Sequence, residues 1–379
     1  MSVPDSSSGS AWVGANAPPP PKVSPIERVD PLIRADRMEF VRYRRADPQR
    51  MDEFLRDFGL VPVERIGDVQ YYRGAGPAPF LVSIEAGPDD AFLGFGVSVR
   101  DASELDALAA ATGLSAENAD TPGGGRRVRL TDPYGLAVDV VHGAEPRDAT
   151  VDEKDLGPIN TPFRKARVNA TVRPPLIPSP IFKLGHVVLQ RPDFDRTALW
   201  YMRHIGILPS DVQVLADGSP ALAFFRLNRG PEPADHHSVA IMGGPGVGLL
   251  HVSFETFDID SVGQGNQYLR ARGWTHHWGV GRHNLGSQFF DYWKDPVGDE
   301  WEHYADGDVL DADQPTGYHR LARGTLWAWG DDLPDSMRPD VPLDEVDQIH
   351  AGGGFSGLAL DKARQLFAAL DLPPRPWLR

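Results

Sequence analysis

The sequence predicts an α+β protein in which four strand–helix–strands modules (βαβββ) build two similar halves. Three observations carry this prediction. The signature Asp132-Pro133-Tyr134-Gly135 returns as Asp295-Pro296-Val297-Gly298, with Asp first, Pro second and Gly fourth as a type I turn prefers. Strand-like runs flank each copy, RRVRL and LAVDVVHG in one, SQFFDYWK and DEWEHYADG in the other. Upstream, MEFVRYRRADPQRMDEFLRDFGL passes from a strand into an amphipathic helix carrying Met51, Phe54, Leu55 and Phe58 at helical spacing, and KLGHVVLQRPDFDRTALWYMRHIGI repeats the plan. Shorter versions, FLGFGVSVRDASELDALAAATGL and LLHVSFETFDIDSVGQGNQYLRARGW, complete the two modules of each half.

These repeats divide the chain. Residues 36–147 form the first half and 179–310 the second, joined by a Pro-rich linker over 148–178 that includes TVRPPLIPSP. Residues 1–35 read as a disordered tail, being rich in Ser, Pro and Gly. Residues 311–379 have no repeat partner and are expected to pack on the second half, with Trp327 and Trp329 as anchors.

With 379 residues, 41% hydrophobic and 24% charged, the chain has ample material for such a core. A net charge of −15 argues against nucleic-acid binding, which needs a basic face. No apolar run approaches the roughly 20 residues of a membrane helix, and the start lacks signal-peptide character, so a cytoplasmic location is expected. The absence of cysteine removes disulfides, thiolate nucleophiles and Cys-based metal sites, leaving His, Asp, Glu or backbone oxygen to hold any metal.

Comparing the halves selects a constellation. His186 falls where the first half has Phe40, His251 where it has Gly94 or Phe95, and Glu302 where it has Asp139. Two His and one carboxylate form the facial triad that holds non-haem Fe(II) while leaving coordination positions open. Alternation along DEWEHY puts Glu300, Glu302 and Tyr304 on one face and Trp301 and His303 on the other, which sets His303 apart from the ligands. Tyr292 shares a face with Phe290, from which it can reach the same cavity.

The second half resembles the catalytic half of the type I extradiol ring-cleavage (catechol 2,3-dioxygenase-like) dioxygenases of the vicinal oxygen chelate superfamily. The resemblance rests on LGHVVL, HHSVAIM, GLLHVSFE, WGVGRH and FFDYWKDPVGDEWEHYADGD, in family order. It implies two vicinal-oxygen-chelate barrel domains, with His186, His251 and Glu302 as the metal ligands. It further implies His237 as the active-site acid/base and His283 and Tyr292 as contacts to substrate and oxygen. Fe(II) is the implied metal, with Mn(II) an alternative for the same ligands. The implied substrates are a catechol and O2, cleaved beside the diol to a muconic semialdehyde-type product in aromatic catabolism. A homo-oligomer is implied too, without nucleic acid or membrane partners. One departure is Gly286, where members that cleave biphenyl diols have an Asp.

Plainer roles fall to the other groups. His142, His204, His319 and His350 are expected to be structural, and His276 and His277 to lie in a loop or at the site entrance. Asp139 reads as a carboxylate without His partners, GGPGVG and AGGGF as turns, and ADGDVLDAD as a solvated loop. Trp278, Phe290 and the tail tryptophans suggest an aromatic-lined pocket. Two alternatives share the fold: a glyoxalase-like isomerase or lyase using metal as a Lewis acid, and a metal-free binding or resistance protein.

Overall fold

The computed structural model describes residues 22–151, 158–173, 175–337, 343–355 and 357–371. The first half runs β1 (Arg37–Arg45), α1 (Pro48–Phe58), β2 (Val61–Ile66), β3 (Val69–Arg73), β4 (Val82–Ala86), β5 (Ala91–Ser98), α2 (Ala102–Thr112), β6 (Glu117–Asn118), β7 (Arg126–Thr131) and β8 (Ala137–His142). The second runs β9 (Ile181–Arg191), α3 (Phe194–Ile205), β10 (Ile207–Val214), β11 (Pro220–Leu227), β12 (Ala234–Asp235), β13 (Val239–Gly243), β14 (Gly248–Thr256), α4 (Ile259–Ala271), β15 (Thr275–His283), β16 (Phe289–Lys294) and β17 (Glu300–Ala305). After it come β18 (Val309–Leu310), β19 (Gly317–Arg320), β20 (Trp327–Trp329), α5 (Val346–Ala351) and α6 (Leu360–Leu370).

The sheet of the first half has the order β2-β3-β4-β1-β5-β8-β7-β6. In the second, β10-β11-β13-β9-β14-β17-β16-β15 repeats that order strand for strand. In each half the two modules meet where their first strands pair antiparallel, β1 on β5 and β9 on β14. The fold is thus α+β, with four βαβββ modules in two halves. The segment after the second half adds a strand to each edge of its sheet, β19 against β10 and β20 against β15. Trp327 is fully buried there, while Trp329 stays 45% exposed. ADGDVLDAD is not wholly a loop, because β18 pairs with β12.

Local chemistry starts the helices in parallel ways. Asp47 caps α1 by accepting from the Arg50 amide, and Asp193 caps α3 by accepting from the Arg196 amide. Both helices end on a left-handed glycine, Gly59 and Gly206.

The halves are locked together by exchanged contacts. Phe54 and Phe58 of α1 pack edge-on against Trp301 of the second half, and Tyr201 of α3 stacks on Phe95 of the first. The repeated turns take part. Asp295 Oδ1 accepts from the amides of Val297 and Asp299, as Asp132 Oδ1 does from those of Tyr134 and Leu136. Their second oxygens cross the interface, Asp295 to Arg45 at 2.8 Å and Asp132 to Arg191 at 3.0 Å. Both arginines are 2% exposed. Asp295 is therefore more than a turn residue. Arg45→Met strips that buried carboxylate of its counter-charge and is expected to cost about 3–5 kcal/mol. Chemical denaturation measures it, and a loss under 1 kcal/mol would refute the assignment.

Of the tail expected over 1–35, residues 1–21 lie outside the described residues. From residue 22 the chain is laid along the second half: the Ile26 amide donates to Tyr318 Oη, and the Leu32 and Ala35 amides donate to Arg203 and Ile205 carbonyls. The linker expectation falls partly on residues 152–157 and 174, and LDLPPRPWLR mostly on 372–379, all outside the described residues. Among the described residues no helix is long and apolar enough to cross a membrane.

Candidate metal centre

Three neighbouring central strands deliver the triad. Strand β9 carries His186, β14 carries His251 and β17 carries Glu302, with His186 opposite Ser253 and Ser253 opposite Glu302 in the ladder. The same registers in the first half settle the correspondence at Phe40, Gly94 and Asp139, because His251 pairs with Glu300 as Gly94 pairs with Ala137. Asp139 is consumed by its own half, in ion pairs with Arg129 at 2.6 Å and Arg42 at 3.5 Å.

In the second half the nitrogens and carboxylate converge. His186 Nε2 lies 3.1 Å and His251 Nε2 3.6 Å from Glu302 Oε2, and the two Nε2 atoms are 3.3 Å apart. One ligand atom from each residue lies within 4.8 Å of the others. Bonds of roughly 2.0–2.2 Å at right angles set ligand atoms about 3 Å apart, so the set fits a facial ion. The polar inventory agrees. His186 and Glu302 are 1% and 0% exposed, yet His186 Nδ1 and both Glu302 oxygens lack a hydrogen-bond partner. A buried carboxylate left so is costly, and a cation would satisfy it.

Charge states are those a ligand set needs. Burial works to raise the Glu302 carboxyl, but His186, His283 and His251 prevail and hold it well below the usual range. Burial pushes His251 down to about 3, against the opposing pull of Glu302. Both favour neutral imidazole beside carboxylate.

Around the triad stand the other candidates. His237 lies under His186 with ring centroids 4.0 Å apart. Burial, then the surrounding histidines, keeps it neutral well below the ordinary imidazole value. Its counterpart in the first half, two residues before the strand paired to β1, is Phe80, stacked 4.6 Å from Phe40. Tyr292 sits opposite Glu302 on β16, and its hydroxyl is 3.0 Å from His283 Nε2. His283 Nδ1 lies 2.8 Å from the Leu326 carbonyl, which only accepts, so Nδ1 carries the proton and Nε2 accepts from Tyr292. Burial, reinforced by the charge of Glu302, raises the Tyr292 phenol well above 10, so it remains a donor.

The structure corrects several expectations. His276 and His277 lie on β15, not in a loop, held by Asp291 and by Ser336 respectively. His303, by contrast, stands apart from the ligands as strand alternation predicts, and bonds the Phe58 carbonyl at 2.7 Å. The cavity over the triad, about 500 Å³, is lined by Trp278 but by neither Phe290, Trp327 nor Trp329. Other aromatic rings, Phe224, Phe355 and Phe367, do line it, among mainly aliphatic walls from Val188, Leu222 and Met242 on the sheet to Leu326, Met337 and Leu366 after it. Phe290 and Trp327 stand behind Trp278. Sequence reasoning missed His236 and Asp211, whose link to His237 exists only across strands; the doubled His of ADHHSV was the one available signal.

Residues 183–303 match the family model Glyoxalase/Bleomycin resistance protein/Dioxygenase superfamily. That matched span lies within the second half and takes in the triad. A curated relative, Metapyrocatechase 2 of Cupriavidus necator, is 34% identical over 155 residues, 40% of this chain and 46% of the relative. The chain thus matches about half the length of that relative. Likeness to solved structures extends over both halves. The Mn(II)-bound glyoxalase from Novosphingobium aromaticivorans superposes with TM-score 0.67 at 22% identity, covering 81% of this chain and 95% of that one. The homoprotocatechuate 2,3-dioxygenase from Brevibacterium fuscum, in complex with 3,4-dihydroxyphenylacetate, gives 0.67 at 20%, covering 82% and 94%. At these identities the likeness is one of fold, and that fold is the two-domain vicinal oxygen chelate fold.

Proposed function

We propose that the protein is an extradiol dioxygenase that opens a catechol ring beside its diol, His186, His251 and Glu302 holding Fe(II) or Mn(II). The observation that carries this is that His186 and His251, gathered with Glu302 into one ligand set, share a cavity with His237, Tyr292 and His283. A bound divalent ion would supply the Lewis acidity that favours the catecholate and the redox path between catecholate and O2. Both oxygen atoms enter the product, so no external reductant is required.

The chain's own residues then have defined tasks. The His237 imidazole, neutral at rest, takes a catechol proton and returns one as the ring opens. The Tyr292 hydroxyl, held by His283, is a fixed donor beside a substrate oxygen. The apolar walls exclude water, which strengthens these hydrogen bonds. A cytoplasmic, homo-oligomeric enzyme of aromatic catabolism remains part of this reading, carried by composition and resemblance.

The lining also bears on the substrate. Among the described lining residues there is no Lys or Arg, and Glu300 sits 3.2 Å from His277 Nδ1. Nothing there balances a carboxylate substituent. Each buried methylene contributes about 0.8 kcal/mol. Three such groups should lower KM by roughly 50-fold for a propyl catechol relative to catechol. Tighter use of a carboxylated catechol would contradict this.

Anaerobic loading with Fe(II), then addition of catechols and O2, tests the function directly. Oxygen uptake with a yellow product is expected. No uptake across a broad panel would sink the proposal in favour of glyoxalase-like isomerase or lyase chemistry, or of a metal-free binding protein.

A further inference from the structure

The sequence left His236 unassigned and gave His319 a structural role, yet His236 meets His237 directly and His319 joins it through Asp211 and His236. Asp211 Oδ2 is 2.7 Å from His236 Nε2, and Asp211 Oδ1 is 2.7 Å from His319 Nε2. His236 Nδ1 is 3.0 Å from His237 Nδ1. We infer that His319, Asp211 and His236 form a positioning chain that fixes the proton of His237 on Nδ1 and leaves its Nε2 bare as the base.

Donor bookkeeping leads there. An ionised carboxylate only accepts, so His236 and His319 must each present Nε2–H to Asp211. A neutral imidazole has a single N–H, which leaves His236 Nδ1 as a lone pair. His237 Nδ1 must therefore be the donor between the two rings, and its remaining nitrogen carries the lone pair. An imidazolium at His236 would reverse this order and put the His237 proton on Nε2, the pattern that the tautomer measurement below reads directly. Burial opposes the ionised form of Asp211, yet the bonds from His236 and His319 outweigh it and lower the carboxyl from its ordinary value.

The surroundings are shaped for the chain. A Cβ on Gly317 would come 2.0 Å from Asp211 Oδ1, and one on Gly286 would come 2.9 Å from His236 Nδ1. Gly286, the position that departs from the biphenyl-diol pattern, thus makes room for the ring that orients His237. His319 arrives on β19, paired with β10 that carries Asp211. A segment outside the repeat therefore acts on the centre.

This inference rests on His237 being the acid/base of the proposed function, and its test separates the two. Long-range 1H–15N correlation of 15N-histidine-labelled protein, metal-free and Zn(II)-loaded, reads the tautomer without turnover. The expected wild-type pattern is a protonated Nδ1 and an unprotonated Nε2 on His237. In the Fe(II)-loaded enzyme, Asp211→Ala should lower kcat roughly 10- to 100-fold with little change in KM, and Asp211→Glu should recover part of the loss. A wild-type His237 protonated on Nε2 would overturn the inference whether or not any variant folds. So would a folded Asp211→Ala with unaltered tautomer signals and kcat. Absence of oxygen uptake by the wild type would instead overturn the functional reading.

Discussion

Glu302→Gln is expected to abolish stable metal retention and to lower turnover at least 10³-fold, while leaving the metal-free protein folded. The side chain keeps its shape and loses its charge, so the only anion of the triad disappears. Its two oxygens have no hydrogen-bond partner in a fully buried position. Such a carboxylate is placed to meet a cation and adds nothing to packing that Gln would not. A residue kept for structure would behave in the opposite way. Metal analysis after dialysis, oxygen uptake and thermal melting of the metal-free protein give the three readings. Full metal occupancy in the variant, or a melting point many degrees lower, would rule out the assignment.

His237→Phe separates chemistry from metal binding. The first half already places Phe80 at the matching position, stacked on Phe40 where His237 lies tilted against His186. The ring is therefore compatible with the local fold. Removing the acid/base should lower kcat by about 10²–10⁴, with metal content retained and anaerobic binding of a catechol still detectable. Single-turnover measurements would place the loss in the chemical steps. A kcat within tenfold of the wild type would remove His237 from the mechanism.

The two variants reflect how differently the residues can be read. His186, His251 and Glu302 were legible because the chain contains its own reference: the first half keeps the same strands and holds Phe40, Gly94 and Asp139 at those registers. What differs between the halves is the site, and what agrees is the fold. Asp295 shows the limit of that approach. Its Asp-Pro-x-Gly context describes a turn, and the turn is there, but the ion pair with Arg45 depends on the opposite half and no local pattern encodes it. The same holds for Arg191 with Asp132.

The pocket was read less well, for a related reason. Trp278 does line it, but Phe290 and Trp327 pack behind that ring. Hydrophobic character alone does not say which side of a sheet faces a cavity and which faces a neighbouring layer. The aliphatic wall comes partly from Leu326, Met337 and Leu366, in a segment without a repeat partner to guide its placement.

By itself, then, the sequence determined the module, its duplication, and the three positions at which one half could hold a metal. Period-2 strands, capped amphipathic helices and Asp-Pro-x-Gly turns are local devices, and duplication made their comparison possible. Only the tertiary structure decided what surrounds those positions: the arginines that lock the halves, the wall that shapes the cavity, and the path from His319 through Asp211 and His236 to His237. Those partners are far apart in the chain, and hydrogen bonds and burial act at distances of a few ångströms in space, whatever the separation in sequence.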